Sequence, residues 1–345
     1  MFNRSPFELL SDDTRYAFAV GKIKVLETRM LSRAELQRML EAPSPQEALA
    51  VLMDSPYEEF LSGLESPLEF ERALNEELRR TYELVDSLSY DKELTDLLRL
   101  RWDFHNLKVM LKAHYLGVEP EGEAIVDFGT LDPASIREAV EEERGEERLP
   151  EPLRSALVEA RAEFEESGDP QMIDISIEGR MLGYLAEKAA EYPNGFLEGY
   201  FRRVIDLNNI RNFIRLKMMG ANVRLIERAL VEGGYIPKRR LMRMMDEGIS
   251  EIPALLGRHP YEDVVGPGVQ DLLETRSMAT FERLMDNHLI NYLRPAKYAA
   301  FGVEPLIAYL LAKEHEVKLI RIIMIGKING LPNDQIEGRL REPYV

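Results

Sequence analysis

Leu98-Arg-Leu-Arg-Trp-Asp-Phe-His-Asn-Leu-Lys108, Val204-Ile-Asp-Leu-Asn-Asn-Ile-Arg211 and Glu314-His-Glu-Val-Lys-Leu-Ile-Arg321 are three versions of one segment. Each carries an acid (Asp103, Asp206, Glu316) and, five residues later, a base (Lys108, Arg211, Arg321). A glycine follows each acid after 14 residues, at Gly117, Gly220 and Gly330. The glycines lie 103 and 110 residues apart. A unit of roughly a hundred residues is therefore used three times, and fixed-period self-similarity outranks any local reading.

The register holds outside this segment. Leu31, Leu131 and Ile236 are each followed five residues later by Leu36, Ile136 and Leu241, and then by Met39-Leu40, Ala139-Val140 and Met244-Met245. Pro56-Tyr-Glu-Glu59 returns 204 residues later as Pro260-Tyr-Glu-Asp263, two periods on, and the middle copy lacks it. These spacings divide the chain into helical modules at 1–117, 118–220 and 221–345, the last with a C-terminal tail.

Straight-chain helix formers dominate, periodicity is of the 3.6-residue kind, and strand-like alternation is nearly absent, so the fold class is all-α. With 345 residues and 45% hydrophobic content the chain can bury a sizeable core. Predicted helices run over Asp13–Leu31, from the capping box Ser32-Arg-Ala-Glu35, over Pro67–Leu88 and over Lys92–Tyr115 with Gly117 as the stop. Others are expected over Glu151–Glu166, Ile175–Glu191, Asn194–Met219, Pro237–Asp246, Ser277–Asn291 and Glu304–Asn329, ahead of a short terminal helix and tail. Gly266-Pro-Gly268 reads as a turn, and Glu138–Arg148 as a solvated, charge-dense stretch.

The chain has no cysteine, which excludes disulfides, thiol catalysis and cysteine-held metals. The opening Met1-Phe-Asn-Arg-Ser-Pro-Phe7 has no apolar core before a cleavage site, and the longest apolar runs, Pro305–Ala312 and Ile322–Ile325, are too short for a bilayer. A net charge of −17 argues against sequence-independent nucleic-acid binding and against adsorption to anionic lipid. The charge is uneven: Arg99–Gly117, Arg202–Gly220 and Lys313–Gly330 together carry +9, leaving −26 elsewhere. The repeated helices are basic islands in an acidic protein.

Sites for chemistry are not indicated. None of the five histidines (His105, His114, His259, His288, His315) has a metal-ligand spacing. Gly326-Lys-Ile328 resembles the end of a phosphate loop, but Arg321 stands at the first glycine and Ile328 at the metal-binding hydroxyl. No Gly-x-Ser-x-Gly elbow occurs, no carboxylate pair is singled out, and no cofactor is expected.

Two readings remain for the repeated polar residues. Asp103 with Asn106, and Asp206 with Asn209, are i,i+3 neighbours on one helix face, with Arg99 and Arg202 four residues before the acids and placed to pair with them. The bland reading is that these pairs, with Glu316, cap a neighbouring loop and fix module register. The third copy has Leu319 in place of the asparagine. The equivalent cations Lys108, Arg211 and Arg321 either serve structure or line a surface for an acidic partner. His114, Lys217 and Lys327, later in each helix, are placed to complement its negative end.

Glu304-Pro-Leu-Ile-Ala-Tyr-Leu-Leu-Ala-Lys-Glu314, with Glu316-Val-Lys-Leu-Ile-Arg-Ile-Ile323 and Gly326-Lys-Ile-Asn-Gly330, looks like the C subunit of archaeal and bacterial A/V-type rotary ATPases, equivalent to the eukaryotic d subunit. Tyr16-Ala-Phe-Ala-Val-Gly-Lys-Ile-Lys24, Trp102-Asp-Phe-His-Asn-Leu-Lys108 and Asp206-Leu-Asn-Asn-Ile-Arg211 are similar to its other motifs. The resemblance spans nearly the whole chain. It implies three modules arranged pseudo-threefold as a funnel, on the cytoplasmic face of the membrane, with no active site. Its implied partners are the central-shaft subunits and the membrane proteolipid ring, and its implied work is to pass torque between them during proton- or sodium-coupled ATP synthesis or hydrolysis. The repeats alone also fit an open helical-repeat scaffold for protein partners. An all-α enzyme using a carboxylate pair is a third possibility.

Overall fold

The computed structural model describes residues 5–120, 122–142 and 145–345. Met1 to Arg4 of the N-terminal reading, and Glu143 and Arg144 of the charge-dense stretch, lie outside them. Every regular element among the described residues is helical. The first are α1 (Ala17–Glu27), α2 (Arg33–Glu41), α3 (Pro45–Ala50), α4 (Glu58–Leu61) and α5 (Phe70–Leu88). Then come α6 (Lys92–Leu116), α7 (Pro133–Glu141), α8 (Glu151–Ser167), α9 (Pro170–Glu191), α10 (Gly195–Met218), α11 (Val223–Ala229) and α12 (Lys238–Met242). The last are α13 (Ile252–Leu255), α14 (Glu262–Thr275), α15 (Ala279–Leu293), α16 (Glu304–Ile328) and α17 (Asn333–Glu337).

Local chemistry sets the boundaries. Ser32 and Glu35 form the expected capping box at the start of α2, Ser32 N–H donating to Glu35 Oε2 at 2.7 Å and Glu35 N–H to Ser32 Oγ at 3.4 Å. Gly117, Gly220 and Gly330 have φ of 66°, 69° and 65°. This is the left-handed conformation that ends a helix and that a side chain resists, which gives the fixed spacing of the repeat glycines its physical cause.

One expectation is overturned. Gly266-Pro-Gly268 is not a turn but lies inside α14. Pro267 lies inside the helix beyond its first turn, so the Asp263 carbonyl loses its helical N–H donor, and the helix continues in spite of it. Gly268 is buried where a Cβ would come within 2.5 Å of the Phe281 ring, so its role is close packing against α15.

The chain divides into two compact units. The first comprises Met1–Tyr90, Gly195–Tyr200 and Gly248–Val345. Its centre is α16, buried without interruption from Glu304 to Lys313 and packed by α1, α2, α3, α5, α15 and α17. A helix apolar on every side must be covered on every side, which is why its neighbours come from both ends of the sequence. The tail after α17 is part of this unit: Tyr344 is buried with its hydroxyl donating to Glu27 at 3.1 Å, and Glu342 N–H donates to Asn287 Oδ1 at 2.9 Å.

The second unit comprises Asp91–Asn194 and Phe201–Glu247. Here α8 and α9 pack as a hairpin, and α6 lies against α7 and α9. Phe104, Leu107 and Leu111 of α6 join Ile136, Ala139 and Val140 of α7 and Leu153, Leu157, Ile173 and Ile177 in one core. The apolar positions that repeat from copy to copy are core positions: Leu36, Met39 and Leu40, and Leu241 and Met244, are buried like Ile136, Ala139 and Val140. No helix is long and apolar enough to cross a membrane among the described residues.

Candidate functional site: a joint repeated three times

The three repeated acids are buried, and two of them do one job. Asp103 Oδ1 and Oδ2 accept Thr130 N–H at 3.1 and 2.9 Å, and Oδ1 accepts Leu131 N–H at 3.1 Å. Asp206 accepts Tyr235 N–H at 2.8 Å and Ile236 N–H at 3.0 Å. In the third copy Glu316 accepts Leu31 N–H at 2.5 Å. Leu131, Ile236 and Leu31 are the residues that the sequence makes equivalent, so each acid holds the chain just before the next copy's short helix: α7, α12 and, from the last copy back to the first, α2. Glu316 of the last copy thus holds Leu31 of the earliest copy.

The asparagines clamp the same loops five residues upstream. Asn106 Nδ2 donates to Val126 O at 2.7 Å and its Oδ1 accepts Val126 N–H at 3.0 Å. Asn209 does the same to Val231, at 2.7 and 2.8 Å. A loop residue with both backbone groups buried needs such a partner. The third copy does not: the residue five before Leu31 is Leu26, which lies inside α1, and its carbonyl takes Arg29 N–H at 3.0 Å. Leu319 is thus explained by the structure around it, since a buried amide there would find no loop to clamp. Leu319→Asn is expected to lower unfolding free energy by about 2 kcal/mol or more, read by urea denaturation. An unchanged midpoint would reject this account of the missing asparagine.

Close approach of loop to acid dictates two glycines. A Cβ on Gly129 would lie 2.1 Å from Asp103 Oδ1, and one on Gly234 would lie 2.0 Å from Asp206 Oδ1. The equivalent residue of the third joint is Arg29, opposite the longer Glu316. The extra methylene lets the acid reach a loop whose own residue has a side chain. Sequence reading missed these glycines because they follow their acids by 26 and 28 residues, not by one fixed distance.

The late cations hold the other end of the short helices. Lys217 Nζ donates to Met244 O at 3.0 Å, Met245 O at 2.5 Å and Glu247 O at 2.8 Å, just past α12. Lys327 Nζ donates to Ala42 O at 2.6 Å, at the C-cap of α2. These lysines serve the negative end of a neighbouring helix, not of their own. Desolvation lowers the pKa of both. His114 lines a cleft with Arg137, Val140 and Glu141 at the end of α7.

Of the earlier cations, Lys108 Nζ reaches Glu178 at 2.8 Å on α9, and Arg321 makes a two-point pair with Glu71 on α5, 2.7 Å for each bond. Arg211 instead donates to the Asn212 amide oxygen, from Nε at 3.3 Å and Nη2 at 3.1 Å. Arg202 lies over the Tyr235 ring at 5.5 Å. Desolvation raises the Asp103 pKa; the bonds from Thr130 and Leu131, and lastly the charge of Arg99, act against it.

The third joint carries a buried ion network. Lys313, 1% exposed, places Nζ 2.5 Å from Glu316 Oε1 and 2.9 Å from Glu77 Oε1. The Tyr57 hydroxyl donates to Glu316 at 3.0 Å, and the ammonium lies 4.6 Å from the Tyr57 ring centroid. Arg80 pairs with Glu77 and donates to Pro56 O at 2.8 Å, so Pro56-Tyr-Glu-Glu59 packs around this network. Glu77 and Arg80 were not singled out by sequence; the only signal was that tetrapeptide.

These are joints and braces, in which buried acids, amides and lysines hold backbone groups and one another. Among the described residues no group of three or more His, Asp or Glu is placed to hold a metal ion. A family model described as ATP synthase (C/AC39) subunit matches residues 19–339. The chain belongs to that family. It is similar to the C subunit of the V-type sodium ATPase of Enterococcus hirae, 25% identical over 93% of this chain and 97% of the relative. It is also similar to the A-type ATP synthase C subunits of Methanocaldococcus jannaschii, 22% identical over 96% and 88%, and of Halorubrum lacusprofundi, 29% identical over 70% and 71%. As a member of the C/AC39 family the chain is a non-catalytic part of the central stalk, linking the proteolipid ring to the shaft of a rotary ATPase.

Proposed function

We propose that this C/AC39 protein sits on the cytoplasmic face of the membrane and that its three modules, 1–117, 118–220 and 221–345, close pseudo-threefold as a funnel. The funnel receives the end of the central shaft and rests on the ring, and so passes torque in ion-coupled ATP synthesis or hydrolysis. The observation that carries this reading is the recurrence of one acid joint, with Glu316 of the last copy holding Leu31 of the first. A joint that runs from last copy to first favours a closed set over an open row of repeats.

Within this reading Asp103, Asn106, Asp206, Asn209 and Glu316 set the register of each short helix against its long one. Lys108 and Arg321 brace neighbouring helices through Glu178 and Glu71. Arg211 is the equivalent cation offered to the shaft. Incubating the purified chain with shaft and ring subunits is expected to give one complex containing all three. Recovery of the shaft and ring in separate fractions, with the chain folded, would sink the adapter reading and return the open scaffold.

A further inference from the structure

In the first copy two cations on α6, Lys108 and Lys112, hold two carboxylates four residues apart on α9: Lys108 meets Glu178 at 2.8 Å and Lys112 meets Asp174 at 2.9 Å. One period of 103 residues later stand Arg211 and Arg215 on α10. Among the described residues neither makes an ion pair, and the only hydrogen-bond partner of their guanidinium groups is the Asn212 amide. Asn208, Arg211, Asn212 and Arg215 follow i, i+3, i+4, i+7 spacing and form one helix stripe without an acid.

The stripe opens onto a cleft of about 340 Å³ between α9 and α10. Asp174 and Glu178 line this cleft too, but they are already held by Lys112 and Lys108, so the two arginines are not neutralised from within it. Arg211 is half-buried and fixed by Asn212, whereas Arg215 is exposed. A planar guanidinium presents a fork that matches a carboxylate, and two arginines one helical turn apart, one of them held in place, match acids one turn apart.

We propose that the Arg211–Arg215 stripe is a docking site for an α-helix of the central shaft that bears two carboxylates at i and i+4. The chain shows this chemistry one period earlier, where α9 of the second copy supplies the acids to α6 of the first. The inference rests on the adapter reading and names the partner of its proposed cation. It also places the shaft contact on the middle copy alone, as one asymmetric shaft meeting three similar modules requires.

The test uses the full chain and the purified shaft protein of the same complex, with affinity measured at low and high salt. Replacing both residues (R211Q/R215Q) is expected to weaken shaft binding about tenfold at low salt, with the gap narrowing at high salt as the charges are screened. R211K/R215K should recover part of the loss, since charge returns without the fork. Equal affinity of R211Q/R215Q and wild type overturns the inference while leaving the adapter intact; no binding by wild type overturns the adapter itself. Loss of ring binding alone would move the stripe to the other partner. A lowered melting temperature of the free chain with unchanged shaft affinity would make the arginines internal braces, and either result rejects the proposal.

Discussion

Lys313→Met is expected to destabilise the first unit by about 3–5 kcal/mol, a large share of a typical folding free energy of about 5–15 kcal/mol. The side chain is 1% exposed and lies between Glu77 and Glu316, themselves buried. Methionine fills the stem's volume but removes the charge that makes two buried carboxylates tolerable. Arg80 still reaches Glu77, so the uncompensated group is chiefly Glu316, left with the Tyr57 hydroxyl and Leu31 N–H.

A second substitution should show this directly. Lys313→Met with Glu316→Gln is expected to recover part of the loss, because the stranded charge is gone and the amide oxygen still accepts Leu31 N–H. Far-UV circular dichroism across a urea gradient measures both. Two losses that simply add would mean that lysine and glutamate are not coupled. Burial alone would lower the Lys313 pKa, but Glu316, Tyr57 and Glu77 outweigh it and raise it well above its ordinary value. This contribution is therefore complete below the unfolded-state lysine pKa of about 10.4 and is lost only as pH rises towards the raised folded value.

Gly234→Ala should destabilise the second unit by about 2–5 kcal/mol, although glycine to alanine at an unstrained site normally stabilises by about 0.4–1 kcal/mol. The sign is the diagnostic. Alanine's methyl would meet Asp206 Oδ1 at 2.0 Å and Cγ at 2.7 Å, so the carboxylate has to leave. Tyr235 and Ile236 N–H would then lose their acceptor. Gly179→Ala, mid-helix in the same unit with Val231 no nearer than 3.9 Å, is the control and should stabilise by up to about 1 kcal/mol. Trp102 lies in this unit and is the chain's one tryptophan, so its fluorescence reports the transition. Equal midpoints for Gly234→Ala and wild type would show that the joint tolerates a side chain and that the loop yields.

Those substitutions also mark where sequence was legible. The Ser32 capping box, the Gly117 stop and the long helices now seen as α5, α6, α8, α10 and α16 follow from local chemistry and were readable to within a few residues. The equivalence of Leu31, Leu131 and Ile236 was readable as well. What it was for was not, because the partner acids lie 285, 28 and 30 residues away along the chain. Gly129 and Gly234 escaped notice because the loops from Gly117 and Gly220 differ by two residues in length. Lys313 was counted with the basic islands because a charge tally carries no burial. Gly266-Pro-Gly268 misled because propensity favours a turn, whereas packing of Gly268 against Phe281 keeps the helix going.

The bond from Glu316 to Leu31 has a consequence for how this chain is made. Synthesis runs from the N-terminus, so α1, α2, α3 and α5 leave the ribosome long before α16, the helix that covers their apolar faces. Until then those helices have only one another, and the loop to be closed spans 285 residues. The second unit is complete in sequence by Glu247 and can settle first. Helices α1, α2, α3 and α5 are thus made early but are among the last to reach their native partner.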